Sequence, residues 1–247
     1  LQETIRRSNV ALERRNRDIE NINNELRQFA HVVSHDLKAP LRAVSNISSW
    51  IVEDLDDKVE PDTQNHVQML RSRLNHMQNL IDGLLDYSRV GRTQIPVESI
   101  SVTKLLDEII NSLDPSSEFN IVISPMMPIL HGRKILLQQV FANLIGNAIK
   151  HHHHKRGKIE ISVQDTETFY EFSVTDDGPG IPPEFHDKIF AIFQTFESKF
   201  KSDSTGIGLA IVKKIVETEG GTIYLESQPN QGTTFRITLL KQGWDII

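Results

Sequence analysis

The chain has no cysteine, which removes disulfides, a thiolate zinc centre and a thiol nucleophile from consideration. Aromatic residues are scarce at 6%, and hydrophobic residues together reach 38%. That is modest for a compact globule but far above a disordered chain. Positive charge is not in excess: 27 Lys and Arg stand against 33 Asp and Glu, a net charge of −6. Non-specific nucleic-acid binding needs a positive surface, so no nucleic acid is expected as a partner. No apolar run approaches the roughly 20 residues of a membrane span, and no signal peptide is visible. This stretch is therefore expected to make no membrane contact and to be cytoplasmic. At roughly 150 residues per domain, a chain of 247 residues makes one large domain or two ordinary ones. It opens on Leu1 in mid-pattern, which reads as a fragment of a longer protein.

What is present begins with helical periodicity. From Leu1 to about Leu55 there is no glycine and one proline. Ile5, Leu12, Ile19, Leu26 and Val33 recur every seventh residue, with Leu1, Ile22 and Phe29 near a second heptad position. This predicts a coiled coil over residues 1–28, against the plainer reading of one amphipathic helix on a globular core. Asp56 to Pro61 breaks the pattern, and Pro61 suits a first helical turn. A second stripe follows at Val67, Leu70, Leu74, Met77, Ile81, Leu84 and Ser88. Two antiparallel helices with one long apolar stripe each cannot bury both stripes alone. Pairing two copies as a four-helix bundle solves this, so a homodimer is expected.

Ser88 to Ser101 is turn-rich and changes the texture; the linker proper is placed at 92–100, between a helical domain over 29–91 and a second domain over 101–247. Helices are predicted over Val102–Leu113, Arg133–Lys150, Glu184–Phe193 and Ile207–Thr218. Strands are predicted over Asn120–Ile123, Lys158–Val163, Phe169–Thr175, Thr222–Glu226 and Thr234–Leu240. Adjacent strand runs with helices between them indicate a mixed α/β layer, not a doubly wound parallel sheet.

Several residue groups carry chemistry. His35 lies about 200° from Val33 on the helical wheel, so it faces water if Val33 faces the seam. Asp36 beside it could bond one ring nitrogen and leave the other as a nucleophile. His31, His66 and His76 read as ordinary surface histidines. Asn143 and Asn147 are four apart on one helix face, Lys150 is near it, and an amide oxygen suits Mg²⁺. Asp176 ends a strand and could accept a hydrogen bond from an adenine amino group; Gly178 and Gly180 let the backbone approach a ligand. Thr205, Gly206, Gly208 and Leu209 open a helix whose first N–H groups can meet an anion. The polar stretch 197–203 reads as a mobile lid hinged at Gly206, with Phe190, Phe193 and Phe196 before it. Thr234 sits at the mouth of the last strand pair, where a hydroxyl could reach the nucleotide. His151–His154 with Lys155 and Arg156 reads as a solvated basic loop; four consecutive histidines on a helix cannot all face one ion.

The order and spacing of these pieces resemble the sensor histidine kinases. SHDLKAPL at 34–41 looks like the phosphoacceptor box, NLIGNAIK at 143–150 like the N box, DDGPGIP at 176–182 like the first glycine box, and the run from Phe190 to Phe196 like the F box. TGIGLAIVKKIVETEGG at 205–221 looks like the second glycine box. The lead-in up to Asp36 is similar to soluble bacterial kinases whose upstream module is a PAS or phytochrome-like sensor. The resemblance implies a dimerisation and histidine-phosphotransfer hairpin followed by an α/β sandwich of the Bergerat or GHKL type. It implies ATP and Mg²⁺ as cofactors. His35 would be phosphorylated and Asp36 would assist proton removal. Asn147 would hold Mg²⁺, Asn143 and Lys150 would line the phosphate site, and Asp176 would read adenine. The phosphoryl group would pass on to an Asp of a response regulator receiver domain, under control of an upstream sensor domain. One departure stands out. Many members carry Thr or Asn four residues after the phosphoacceptor, where it orients water; here Ala39 stands there, and a methyl group cannot hold water. Weak phosphatase activity is expected. The rival readings are a non-kinase GHKL ATPase of the gyrase or MutL kind, and a catalytically degenerate dimeric scaffold.

Overall fold

The computed structural model describes residues 32, 34, 36–51, 61–91, 95–115, 118–152, 154, 156–194 and 204–241. The chain divides into two compact units, Leu1–Arg89 and Val90–Ile247. The expected coiled coil over 1–28, His35, and the lid stretch 197–203 lie outside the described residues.

In the first unit, helix α1 covers residues 36–51 and stays helical through Pro40. Helix α2 is Pro61–Arg89. Its proline needs no donor in the first turn, and Asp62 and Arg89 lie at the ends whose partial charges they oppose. Lys38 Nζ lies 2.5 Å from Asp82 Oδ1, and Gln78 Nε2 donates to the same carboxylate at 3.1 Å. Partial burial works against the charge on Asp82, but those two bonds and the Lys38 and Arg42 charges outweigh it and hold the carboxyl below its ordinary range. The α2 stripe is split. Leu74, Ile81, Leu85 and Ser88 are buried, whereas Leu70 and Met77 stay 43% and 47% exposed. On α1, Val44, Ile47, Trp50 and Ile51 are exposed as well.

The second unit has two layers. A five-stranded sheet runs in the order β2-β4-β5-β7-β6, with β2 Phe119–Ile123, β4 Gly157–Asp165, β5 Phe169–Asp176, β6 Ile223–Ser227 and β7 Thr233–Leu240. Only β2 and β4 pair in parallel; the other neighbours are antiparallel. A parallel pair needs a crossover, and helix α4, Lys134–Lys150, lies on it. Helices α3, Val102–Leu113, and α5, Gly208–Thr218, flank α4. The sheet alternates as a one-face-buried sheet should. Ile159, Ile161, Phe172, Val174, Phe235 and Ile237 are buried with the helices. The opposite face is polar, with Ser162 bonded to Ser173 at 2.7 Å and Arg236 bonded to Glu171 and Glu226. Phe141 of α4 meets Phe172 of β5 edge to face, centroids 5.4 Å apart, and both rings are fully buried.

The structure departs from expectation in three places. Strands β1, Glu98–Ser101, and β3, Ile129–Gly132, form a separate antiparallel pair, so residues 98–100, expected in the linker, are built into the second unit with Ile100 buried. The helix expected over Glu184–Phe193 is a 3-10 turn, Pro183–Phe185, followed by further turns. Bonds there mostly close over three residues, as from Lys188 to Phe185 and Ala191 to Lys188, and the chain reverses at Phe193 with φ 65°. His152 is not solvated, as described below.

Truncating Phe141 to Ala removes a ring from the α4–β5 contact. The expected loss is about 3–5 kcal/mol of unfolding free energy, read from urea melts of the second unit's transition; a loss below about 1 kcal/mol would contradict this packing.

Candidate functional site

The site is assembled by α4, the end of β5 and the start of α5. The buried face of α4, Leu137, Val140, Phe141, Leu144 and Ile145, seats it on the sheet. Asn143, Asn147 and Lys150 lie on its remaining edge, the asparagines half-buried and Lys150 exposed. Asn143 Nδ2 donates to the Gln139 carbonyl at 2.7 Å, which turns its Oδ1 toward Gly208. A Cβ on Gly208 would collide with that oxygen, so glycine at 208 lets the first turn of α5 sit against Asn143 without displacing its amide. The first N–H groups of α5 have no acceptor within the helix, and the side chain of Ile207 does not cap them. Thr205 and Leu209 are half-buried on either side of this start.

Asp176 closes β5 between Ile159 of β4 and Thr233 of β7. Its Oδ1 accepts the Gly178 N–H at 2.9 Å. Burial raises its carboxyl above the ordinary range, against the lowering influence of the Gly178 and Thr233 amides and of His152. It has no Lys or Arg beside it among the described residues. The turn after it is locked to residues 228–232. Asn230 N–H donates to the Pro179 carbonyl at 2.7 Å and Ile181 N–H donates to Ser227 Oγ at 2.8 Å. Gly180 is left-handed at φ 69°, and a Cβ there would strike the Gln228 carbonyl.

The feet of the loop between Phe193 and Gly206 are stapled together. Phe193 N–H donates to the Gly206 carbonyl at 2.9 Å. Gly206 has φ 67°, and a Cβ on it would meet Gln194 O at 2.6 Å. Phe190 packs edge to face on Phe235 at 6.4 Å, whereas Phe193 is half exposed; Phe196 lies outside the described residues.

Two expectations need correction. Thr234 stands on the face of the sheet away from the helices, its Oγ1 3.0 Å from Thr175 Oγ1. Alternation along β7 turns the buried Thr233 to the Asp176 side instead. Thr233 was one residue away in the sequence, and a strand parity counted from Phe235 would have found it. The histidine tract is solvated only in part: His154 and Arg156 are exposed, whereas His151 and His152 are drawn inward. His151 Nε2 lies 3.0 Å from Ser204 Oγ, joining the end of α4 to the segment that leads into Gly206. The His152 side chain is 3% exposed, with Nε2 3.1 Å from Asp177 Oδ1. Asp177 and His152 carried no sequence signal beyond adjacency to the quoted motifs. Among the described residues no cluster of three His, Asp or Glu could hold a metal ion, and no helix is long and apolar enough to cross a membrane.

Comparison with known proteins agrees with this geometry. Residues 132–243 match the family of histidine kinase-, DNA gyrase B- and HSP90-like ATPases, and residues 25–93 match the His Kinase A (phospho-acceptor) domain. Cyanobacterial phytochrome A from Nostoc sp. strain PCC 7120 is 37% identical over 225 residues, 90% of this chain and 29% of its own length. The chain spans less than a third of the length of the curated relatives it is similar to. Full-length ShkA in complex with AMPPNP superposes with a TM-score of 0.67 at 22% identity, over 87% of this chain and 46% of that one. The histidine kinase ThkA, solved in complex with the response regulator TrrA, gives a TM-score of 0.58 at 22% identity, over 85% of this chain and 61% of that one. Helical hairpin and mixed α/β unit, in this order and with both families matched, make the chain a member of the histidine kinases, covering the phospho-acceptor domain and the ATPase-type domain of a sensor kinase.

Proposed function

We propose that this chain is the transmitter of a two-component sensor: it phosphorylates His35 from ATP and passes the phosphoryl group to an Asp of a response regulator. The observation that carries the reading is Asp176, a half-buried carboxylate at a strand end whose carboxyl is raised by desolvation, with backbone amides and His152 to balance it. Such a group is costly unless a ligand donor completes it, and the exocyclic amine of adenine is a donor of the right kind. Asn143, Lys150 and the open N–H groups at Gly208 and Leu209 then serve the phosphates, with Thr205, Gly178, Gly180 and Gly206 shaping the walls. Asn147 presents a neutral amide oxygen on the same edge, a hard donor that fits Mg²⁺. When bound, Mg²⁺ supplies neutralisation of phosphate charge.

In the transfer, the unprotonated ring nitrogen of His35 attacks the γ-phosphorus. The P–O bond to ADP breaks, a P–N bond forms, and the proton on the other ring nitrogen passes to Asp36. Positioning and charge neutralisation do most of such catalysis. Transfer then proceeds to the receiver Asp. The exposed stripe of Leu70, Met77, Val44 and Ile47 supports a homodimer through the hairpin, and an upstream sensor would act through the 1–28 helix. The domain limits proposed are 29–91 and, with β1 included, 98–247, in a cytoplasmic protein. The ThkA–TrrA complex supports the receiver as partner.

Incubation with γ-labelled ATP and Mg²⁺ should give acid-labile, base-stable label on the wild type and none on His35→Gln. Asn147→Ala should lower it by roughly a hundredfold or more. Mixing the two variants restores label if transfer runs between subunits. Persistent label on His35→Gln would overturn the reading in favour of another acceptor, and unlabelled wild type that still hydrolyses ATP would favour a non-kinase ATPase.

Asp176→Asn tests the base-reading carboxylate by a trade-off. A carboxyl raised by folding favours the folded state below its unfolded value, and that contribution is lost as pH rises through the folded value. Asn keeps the Gly178 bond without the charge. The variant should melt higher than wild type near pH 7, with the gain vanishing in acid, while ATP affinity falls about tenfold or more.

Ala39 is exposed on α1. Ala39→Thr should speed dephosphorylation of the phosphorylated receiver by roughly tenfold, measured with purified receiver; an unchanged rate would remove Ala39 as the cause of weak phosphatase activity.

A further inference from the structure

The histidine tract after α4 holds an imidazole where a surface loop was expected. His152 has a 3% exposed side chain and fits a notch made for it. Its ring meets Phe119 edge to face with centroids 5.5 Å apart. A Cβ on Gly157 would lie 2.6 Å from His152 Nε2, so the first residue of β4 must be bare for the ring to enter. A Cβ on Gly178 would lie 3.5 Å from His152 Cδ2, ordinary contact, which places the ring directly behind the turn after Asp176.

Both ring nitrogens are engaged. Nδ1 faces the backbone of His154, 3.2 Å from its N–H and 3.1 Å from its carbonyl. Nε2 lies 3.1 Å from Asp177 Oδ1. A carboxylate only accepts, so Nε2 carries the proton in this pair, both in the neutral tautomer with Nδ1 accepting from His154 N–H and in the doubly protonated ring. The same Asp177 oxygen takes the Lys158 N–H at 2.7 Å. His152 thus ties the end of α4, the start of β4 and the turn 176–178 at one atom. That turn has its other flank bound to residues 228–232, as Asn230 and Gly232 show.

We infer that His152 is a positioning residue for nucleotide recognition: by bonding Asp177 from behind it holds the turn that aims the Asp176 carboxylate at the base. This rests on the reading of Asp176 as the base-reading group. The residue does not touch the ligand in this assignment. Its effect passes through Asp177 and should therefore appear as base discrimination and affinity, not as a change in the phosphoryl-transfer step itself.

Binding of ATP and GTP to the full chain tests it by calorimetry, with wild type, Asp176→Asn, His152→Ala, His152→Gln, Asp177→Ala and the double variant His152→Ala/Asp177→Ala. His152→Ala should raise the Kd for ATP roughly tenfold and narrow the gap between ATP and GTP. His152→Gln, whose Nε2 can still donate to Asp177, should recover most of both. Asp177→Ala, at an exposed position that leaves the notch filled, should reproduce the loss, and the double variant should be no worse than either single one. At saturating ATP the rate of His35 labelling should stay within about twofold of wild type. A His152→Ala chain that melts lower yet binds ATP and GTP as wild type does would reduce His152 to a packing residue and overturn the inference, as would failure of Gln to recover affinity. If His152→Ala does not fold, Asp177→Ala alone decides between the same two outcomes. Unaltered ATP binding by Asp176→Asn would instead overturn the reading of Asp176, and the inference with it.

Discussion

A half-buried carboxylate with no Lys or Arg beside it among the described residues shapes the second unit. Asp176 sits at the end of the central strand β5, and burial raises it against the help of two amides. Two consequences follow from that one placement. The register must bring Thr233 of β7 opposite it, because one of those amides comes from there. The following turn must also bend back at once so that the Gly178 N–H can reach Oδ1. Most of the unusual backbone in this region serves that turn: Gly180 and Gly232 are left-handed, and neither has room for a Cβ beside the neighbouring carbonyls. Along the rest of the sheet hydrophobic alternation sets the register, with Gly157 and Gly221 as further close approaches.

Helix α4 meets the same constraint from the other side. One face must bury seven side chains against sheet and flanking helices, so polar residues can occupy only the strip left over. Spacing of four residues puts Asn143 and Asn147 along that strip, and the bond from Asn143 to Gln139 fixes one amide before any ligand arrives. The α5 start is then pressed against Asn143 through Gly208, and the lid feet are joined at Phe193 and Gly206. His151 adds a second tie, to Ser204, on the side that leads into Gly206.

What was legible in the sequence follows the range of the interactions involved. Helices α3, α4 and α5 and the five sheet strands could be read because each buries one face, and periodicity records that face directly. Strands β1 and β3 are four residues each, too short for a period to be read from residue types, and their pairing with each other defines them. The apolar residues from Phe185 to Phe193 suggested a helix, yet that stretch must turn back toward Gly206, and the turn overrides local spacing. Thr233 and Thr234 differ by strand parity, which depends on where β7 begins. His152 was illegible for a deeper reason: its burial is made by Phe119, Gly157 and Asp177, none of which is its neighbour in the sequence. A polar tract looks solvated until tertiary contacts close over it.

The hairpin shows the same limit from the opposite direction. Its 3-4 spacing on α2 was read as one stripe, but the structure resolves it into two. Leu74, Ile81 and Leu85 turn inward, while Leu70 and Met77 remain open. Open and buried residues alternate along α2 as the two positions of one heptad, so one set meets one neighbour and the other set faces elsewhere. One neighbour is α1, tied to α2 by the Lys38–Asp82 pair. The second set of apolar side chains is left exposed, as are Val44, Ile47 and Trp50 of α1. A second copy of the hairpin carries the same surface, and a two-fold arrangement lets each copy cover the other. The proposed dimer thus follows from the split of the stripe into a buried and an open set, each repeating every seven residues.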